Sequence, residues 1–144
     1  MIYRFLTRWL SFIVITRNDG RPYMTRFYLL GGPRSMRHGW FQNFNLFLHC
    51  FHSSDDEGEL HNHPWVWAAS LILWGVYREE RPNGYLLFWP GLVNVIKADD
   101  YHRVDLRTDR VWSLFLAGPR IDRPWGFINR ETGRVRSPWS QQPQ

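Results

Sequence analysis

Short runs of β-branched and aromatic residues recur along the chain, each bounded by Gly, Pro, Asn or Asp. That punctuation predicts an all-β sandwich or barrel. Residues 1–16 are ambiguous, because Phe5, Trp9 and Phe12 have helical spacing while Ile13-Val14-Ile15 favours a strand. Asn18-Asp19-Gly20 followed by Arg21-Pro22 is a strong turn signal. It predicts a hairpin between residues 12–16 and 23–30, closed by Gly31-Gly32-Pro33, with a basic loop over 34–39. Residues 45–52 alternate, setting Asn45, Phe47, His49 and Phe51 on one face and Leu46, Leu48, Cys50 and His52 on the other. After a polar, acidic loop over 53–59, the most apolar run spans 66–77 and reads as one buried strand with Gly75 near its end. Arg78-Glu79-Glu80-Arg81 reads as a charged exit into the Pro82-Asn83-Gly84 turn. Further strands are expected over 85–89, 92–96, 103–106 and 110–116, with a polar corner at 97–102 and a frayed end at 141–144.

At 144 residues and 44% apolar content the chain is expected to be a single domain with a real core. Nine Trp, ten Phe and six Tyr favour strands over disorder. The lone Cys50 excludes an internal disulfide, and no cleavable leader or membrane span is evident, so a cytoplasmic location is expected. The net charge of +5 rests on arginine, Lys97 being the only lysine. Guanidinium suits carboxylate or phosphate recognition, but the arginines are scattered, which disfavours nucleic-acid binding.

The chemistry concentrates at His61-Asn62-His63-Pro64-Trp65. On a strand, residues i and i+2 share a face, so both imidazoles can aim into one pocket, and His102 follows on a later segment. Three neutral imidazoles bind a divalent transition metal and leave positions open for water or substrate. His52 and His38 are assigned to the surface. Cys50 beside His49 reads as a buried thiol, not a nucleophile. No serine-hydrolase elbow, phosphate loop or dinucleotide fingerprint is present.

Residues 40–118 resemble the cupin superfamily, whose first motif carries His-x-His followed by Glu and Gly and whose second carries Gly, Pro-x-Gly, His and Asn. His61 and His63 supply the pair, Gly75 the closing glycine, and Gly91 and His102 stand at second-motif spacing. Asp55 replaces the leading glycine, Ala68 the glutamate ligand, Lys97 and Asp99 the Pro and Gly, and Leu106 the Asn. The run from His61 to Trp65, with Ser70–Tyr77 and Ala98–His102, is further similar to small bacterial and phage cupins without an assigned reaction. The resemblance implies a cupin-like small β-barrel (a double-stranded β-helix or jelly roll), with core at about 40–118, an N-terminal extension over 1–38 and a C-terminal tail over 119–144. It implies metal ligands His61, His63 and His102. The missing fourth place would fall to water, then His49, then Glu59. Asp99 and Asp100 are candidates to accept the far N–H of His102. Trp65, Trp67, Tyr101 and Phe47 are candidate pocket walls.

The function this implies is an iron(II)-dependent oxygenase-type enzyme acting on an unidentified small molecule, with Zn, Mn, Ni or Cu as other metals and a homodimer as the expected assembly. The catalytic residues are not assigned. One alternative is a non-catalytic ligand-binding or regulatory cupin. Another is a metal-free sugar-nucleotide epimerase or isomerase, with His61 or His63 as base, Asp99 holding it and Tyr101 as acid.

Overall fold

The computed structural model describes residues 2–17, 19–30, 44–122 and 125–136. A helix, α1 (Ile2–Trp9), precedes β1 (Phe12–Thr16), β2 (Pro22–Leu30), β3 (Asn45–Phe51), β4 (Glu59–His61), β5 (Trp67–Trp74) and β6 (Tyr77–Arg81). There follow β7 (Gly84–Phe88), β8 (Val93–Lys97), β9 (Arg103–Leu106), β10 (Val111–Ala117), β11 (Phe127–Asn129) and β12 (Val135–Arg136). Six strands pair antiparallel in the order β1-β2-β3-β10-β5-β8, beside two three-stranded sheets, β7-β6-β9 and β12-β11-β4. His61, ending β4, and His102, just before β9, exchange two backbone hydrogen bonds of 2.8 and 2.9 Å. That bridge stitches the small sheets into a second layer. Ile72 and Val111 of the large sheet pack in one apolar cluster with Tyr77, Phe88 and Val104 of the second layer. The fold is a double-layered antiparallel barrel, as the punctuation of the sequence predicts.

The N-terminal ambiguity resolves as a helix followed by a strand. Tyr3 of α1 bonds Thr25 Oγ1 at 3.0 Å and sets its ring edge-on to Phe27 and Trp112. The helix therefore covers the back of the large sheet, and β2 buries residues on both faces: Met24 toward the interior, Thr25 and Phe27 toward the helix. Within the first thirty residues β1 and β2 thus belong to the large sheet, and β11 and β12, after residue 118, lie beside β4. No helix among the described residues is long and apolar enough to cross a membrane. The 34–39 loop, His38 and the 141–144 end lie outside the described residues.

Two sequence expectations are corrected here. The apolar run over 66–77 is not one strand, and Arg78–Arg81 is not an exit loop: the chain turns at Gly75 and continues as β6. Gly75 has φ +82°, and a Cβ there would sit 2.2 Å from the Arg110 carbonyl oxygen. The charged strand is stable because its ions are paired, with Arg78 on Glu80 and Asp105 and Arg81 on Glu79.

Gly75→Ala should destabilise the protein strongly, because the positive φ alone costs about 1–2 kcal/mol and the clash with Arg110 adds to it. Gly91→Ala, with φ +93° and nothing within 4 Å of its Cβ, should show the conformational cost alone. Urea unfolding of both variants checks this, and equal losses would contradict it.

Candidate metal centre

One ring nitrogen from each of His61, His63 and His102 lies within 4.8 Å of the others, and no further His, Cys, Asp or Glu among the described residues joins that cluster. His61 is the last residue of β4, and His63 lies two residues beyond it, so the pair straddles the end of the strand. The alternation still holds through it. Asn62, buried between them, turns the other way, accepts the Gly126 amide at 2.8 Å and donates to the Ala98 carbonyl. This one side chain ties the histidine segment to the 97–102 corner and to the chain leading into β11. His102 is brought alongside by the backbone bridge to His61.

Behind His102 stands Glu79, which is fully buried. Its Oε2 lies 3.0 Å from His102 Nδ1 and also accepts a short hydrogen bond from Asn94, while its Oε1 accepts from the Arg81 guanidinium at 2.6 Å. Burial pushes the Glu79 carboxyl up, but the hydrogen bonds and charges of His102 and Arg81 outweigh it and hold the group below its ordinary value. A carboxylate can only accept, so His102 Nδ1 carries the hydrogen and Nε2 is the ring nitrogen turned away from Glu79. That Nε2 is 2.9 Å from His63 Nε2. This is the spacing of a hydrogen bond between the rings. It also matches two adjacent ligands of one ion with metal–nitrogen bonds of about 2.1 Å.

Burial lowers the pKa of His61 to about 4 and that of His63 well below its ordinary value. Both imidazoles are therefore neutral near pH 7, the state a metal requires. Asp55 Oδ2 stands 3.6 Å from His61 Nδ1 and accepts the Val104 amide at 2.7 Å. The acidic loop is held in place from several sides: Arg103 donates to the Asp55 and Asp56 carbonyls, and Arg17 pairs with Asp56. The donor set, the neutrality of His61 and His63 and the carboxylate behind His102 all fit a divalent transition metal.

The three histidines open into a cavity of about 70 Å³ lined also by Tyr23, Arg26, His49, Phe51 and Phe115. Such a volume admits an ion with a few water-sized groups, as one water needs about 10–15 Å³ on this measure. Burial and the nearby Asp55 carboxylate push the Tyr23 phenol well up, so it keeps its proton.

The remaining sequence candidates separate clearly. His49 lies in the cavity wall but outside the ligand cluster, its Nε2 accepting from Arg26 at 3.0 Å. Glu59 is half-buried on β4, outside the cavity lining. Trp65 stacks on the His63 ring at 5.3 Å, and Phe47 stacks on His49. Trp67 packs toward Gly118 and Phe44, and none of the four expected pocket walls, Trp65, Trp67, Tyr101 and Phe47, lines the cavity itself. Asp100 accepts the Lys97 amide and Asp99 is exposed on the same turn; the carboxylate on His102 is Glu79 instead. Ala68 lies in an apolar cluster with Phe47, Ile96, Phe115 and Ala117. Burial raises the Cys50 thiol to about 11, which leaves it unreactive. His52, placed at the surface by sequence, is half-buried and bonds Thr25 Oγ1 at 2.8 Å.

Sequence reasoning missed Glu79 and Arg26. The period-2 pattern Tyr77, Glu79, Arg81 after the Gly75 turn carried the first, and Met24, Arg26, Tyr28 on β2 carried the second.

No known family's sequence profile matches the chain, and no curated protein is similar to it in sequence. Solved structures share its fold. An RmlC-like cupin protein from Ralstonia eutropha JMP134 matches with a TM-score of 0.59 at 9% identity, over 95% of this chain and 82% of that one. A cupin-2 domain from Rhodospirillum rubrum gives 0.58 at 14% identity, over 79% and 72%. The iron(II) form of HppE gives 0.58 at 11% identity, over 76% of this chain and 57% of that one. The fold is the cupin double-stranded β-helix.

The buried neutral histidines make stability depend on pH. Unfolded, His61 takes up a proton near 6.5, and folded it refuses one down to about 4. The unfolded chain therefore binds more protons in that window, and stability rises with pH across it. His49 and His63 act in the same direction. Thermal melts of the metal-free protein should show a midpoint that holds above pH 6.5 and falls as pH drops toward 4. A midpoint constant across that range would contradict the assigned burial.

Proposed function

We propose that this chain is a metal-binding cupin in which His61, His63 and His102 hold one divalent transition ion, with iron(II) the first candidate. The observation that supports this most is the convergence of three imidazole nitrogens within 4.8 Å, with a buried carboxylate fixing the tautomer of one of them. An iron(II) form of the similarly folded HppE has been solved, which favours iron among the metals that accept nitrogen ligands. Bound iron would supply dioxygen chemistry beside a small-molecule substrate, whereas zinc at the same nitrogens would activate water.

The chain's own residues prepare that chemistry. Glu79, anchored by Arg81 and Asn94, holds His102 in one ring orientation and strengthens its Nε2 as a donor. Trp65 and Phe115 flank His63 and keep its ring from rotating into solvent. Phe51 and Phe115 line the cavity with apolar surface, which limits water and strengthens electrostatic contacts inside. Tyr23 keeps its phenol protonated on the same wall, its hydroxyl donating to the Asp55 carboxylate.

Elemental analysis after reconstitution with iron(II) under anaerobic conditions should find one ion per chain, and His61→Ala and His102→Ala should abolish it. Glu79→Gln should retain the site with affinity weakened by about 10- to 100-fold. Absence of stoichiometric metal, or loading indifferent to the histidine substitutions, would overturn the proposal. Oxygen uptake by the iron-loaded protein then separates oxygenase chemistry from hydrolysis or simple binding.

A further inference from the structure

Arg26 projects from β2 into the same cavity as the three histidines, yet among the described residues no carboxylate forms an ion pair with it. This sets it apart from Arg78, Arg81, Arg103 and Arg130, each of which reaches an acidic side chain. Its guanidinium lies over the Phe47 ring at 4.7 Å and donates from Nε to His49 Nε2 at 3.0 Å. Burial lowers its pKa, but a guanidinium remains charged at neutral pH. A cation desolvated in this way is costly unless an anion joins it.

His49, the acceptor of that Arg26 hydrogen bond, adds a second sign. Only 2% of it is exposed, and burial keeps it neutral. Because Nε2 accepts from Arg26, the ring hydrogen sits on Nδ1, and that buried nitrogen has no hydrogen-bond partner. An unpaired cation thus stands against a buried, neutral imidazole in the wall of one small cavity. The cation lacks a counter-ion, and the imidazole N–H, on the far side of the ring from Arg26, lacks an acceptor. A planar carboxylate matches the guanidinium fork, and a cavity of about 70 Å³ has room beside it for a short molecule.

We propose that Arg26, braced by His49 and Phe47, is the anchor for the carboxylate of a small ligand whose other end reaches the histidine triad. The ligand class is a short carboxylic acid bearing a second oxygen or nitrogen donor. The second half of this statement rests on the metal reading above; the anchor does not.

Glycolate is the probe, with ethylene glycol as its neutral counterpart and inorganic phosphate as the competing anion. Each is titrated by calorimetry into the full chain, metal-free and cobalt(II)-loaded, for wild type, Arg26→Gln and Arg26→Lys. Glycolate should bind, ethylene glycol and phosphate should bind far more weakly, and Arg26→Gln should weaken glycolate by about tenfold or more, the range of a charge-assisted hydrogen bond. Cobalt stoichiometry should stay at the wild-type value in both variants, which also reports that they fold, and Arg26→Lys should fall between wild type and Arg26→Gln. Glycolate affinity unchanged in both cobalt-competent variants, or phosphate or ethylene glycol binding as tightly as glycolate, would overturn the proposal. If wild type takes up no cobalt, the metal reading fails alone, and glycolate binding to the metal-free protein that Arg26→Gln removes still supports the anchor.

Discussion

A carboxylate with no exposed surface must be surrounded by donors or it will not remain charged. Glu79 meets that condition with three: His102, Arg81 and Asn94. The layout of the second layer follows from it. β6 can run as a charged strand only because Glu79 and Arg81 satisfy each other inside while Arg78 and Glu80 pair on the outer side. Asn94, on the edge strand β8 of the large sheet, reaches across to Glu79 and to the Tyr77 hydroxyl, so the same carboxylate fastens the two layers together. What it delivers to the cavity is one imidazole with a fixed tautomer.

The other two imidazoles are delivered by backbone. The His61–His102 bridge fixes the rings 4.6 Å apart between centroids, and Asn62 draws the segment against Ala98 and Gly126. Around this lies a ring of aromatic side chains that desolvates His61 and His63 and so keeps them uncharged. The wall on the β2 and β3 side is different, with a desolvated cation and an unsatisfied N–H. The cavity therefore takes polar groups from both layers, the imidazoles from one and Arg26 with His49 from the other, with Phe51 and Phe115 also in its wall.

Much of this was legible in the residues. The hairpin joining β1 and β2, the alternation over 45–52 and the His-x-His pair follow from local signals, and such signals survive folding. The missing ligand at Ala68 was readable too, and its place in an apolar cluster agrees with that. Glu79 was not, because a run of four charges is ordinarily a solvated exit, and only pairing with distant Asn94 and His102 makes it an interior strand. Asp99 and Asp100 were favoured by proximity in sequence to His102. The 97–100 turn consumes the Asp100 carboxylate locally, and the bridge rotates the far side of the ring toward β6. Arg26 escaped because a lone arginine in a strand gives no hint of whether an acid will face it.

The central claim is that these three imidazoles form the ligand set of one ion. X-ray absorption at the metal edge of the iron(II)-loaded protein tests it most directly. The account predicts three imidazole nitrogens at about 2.1 Å with their multiple-scattering signature, completed by oxygen from water. A first shell of oxygens alone, or of sulfur, would contradict it.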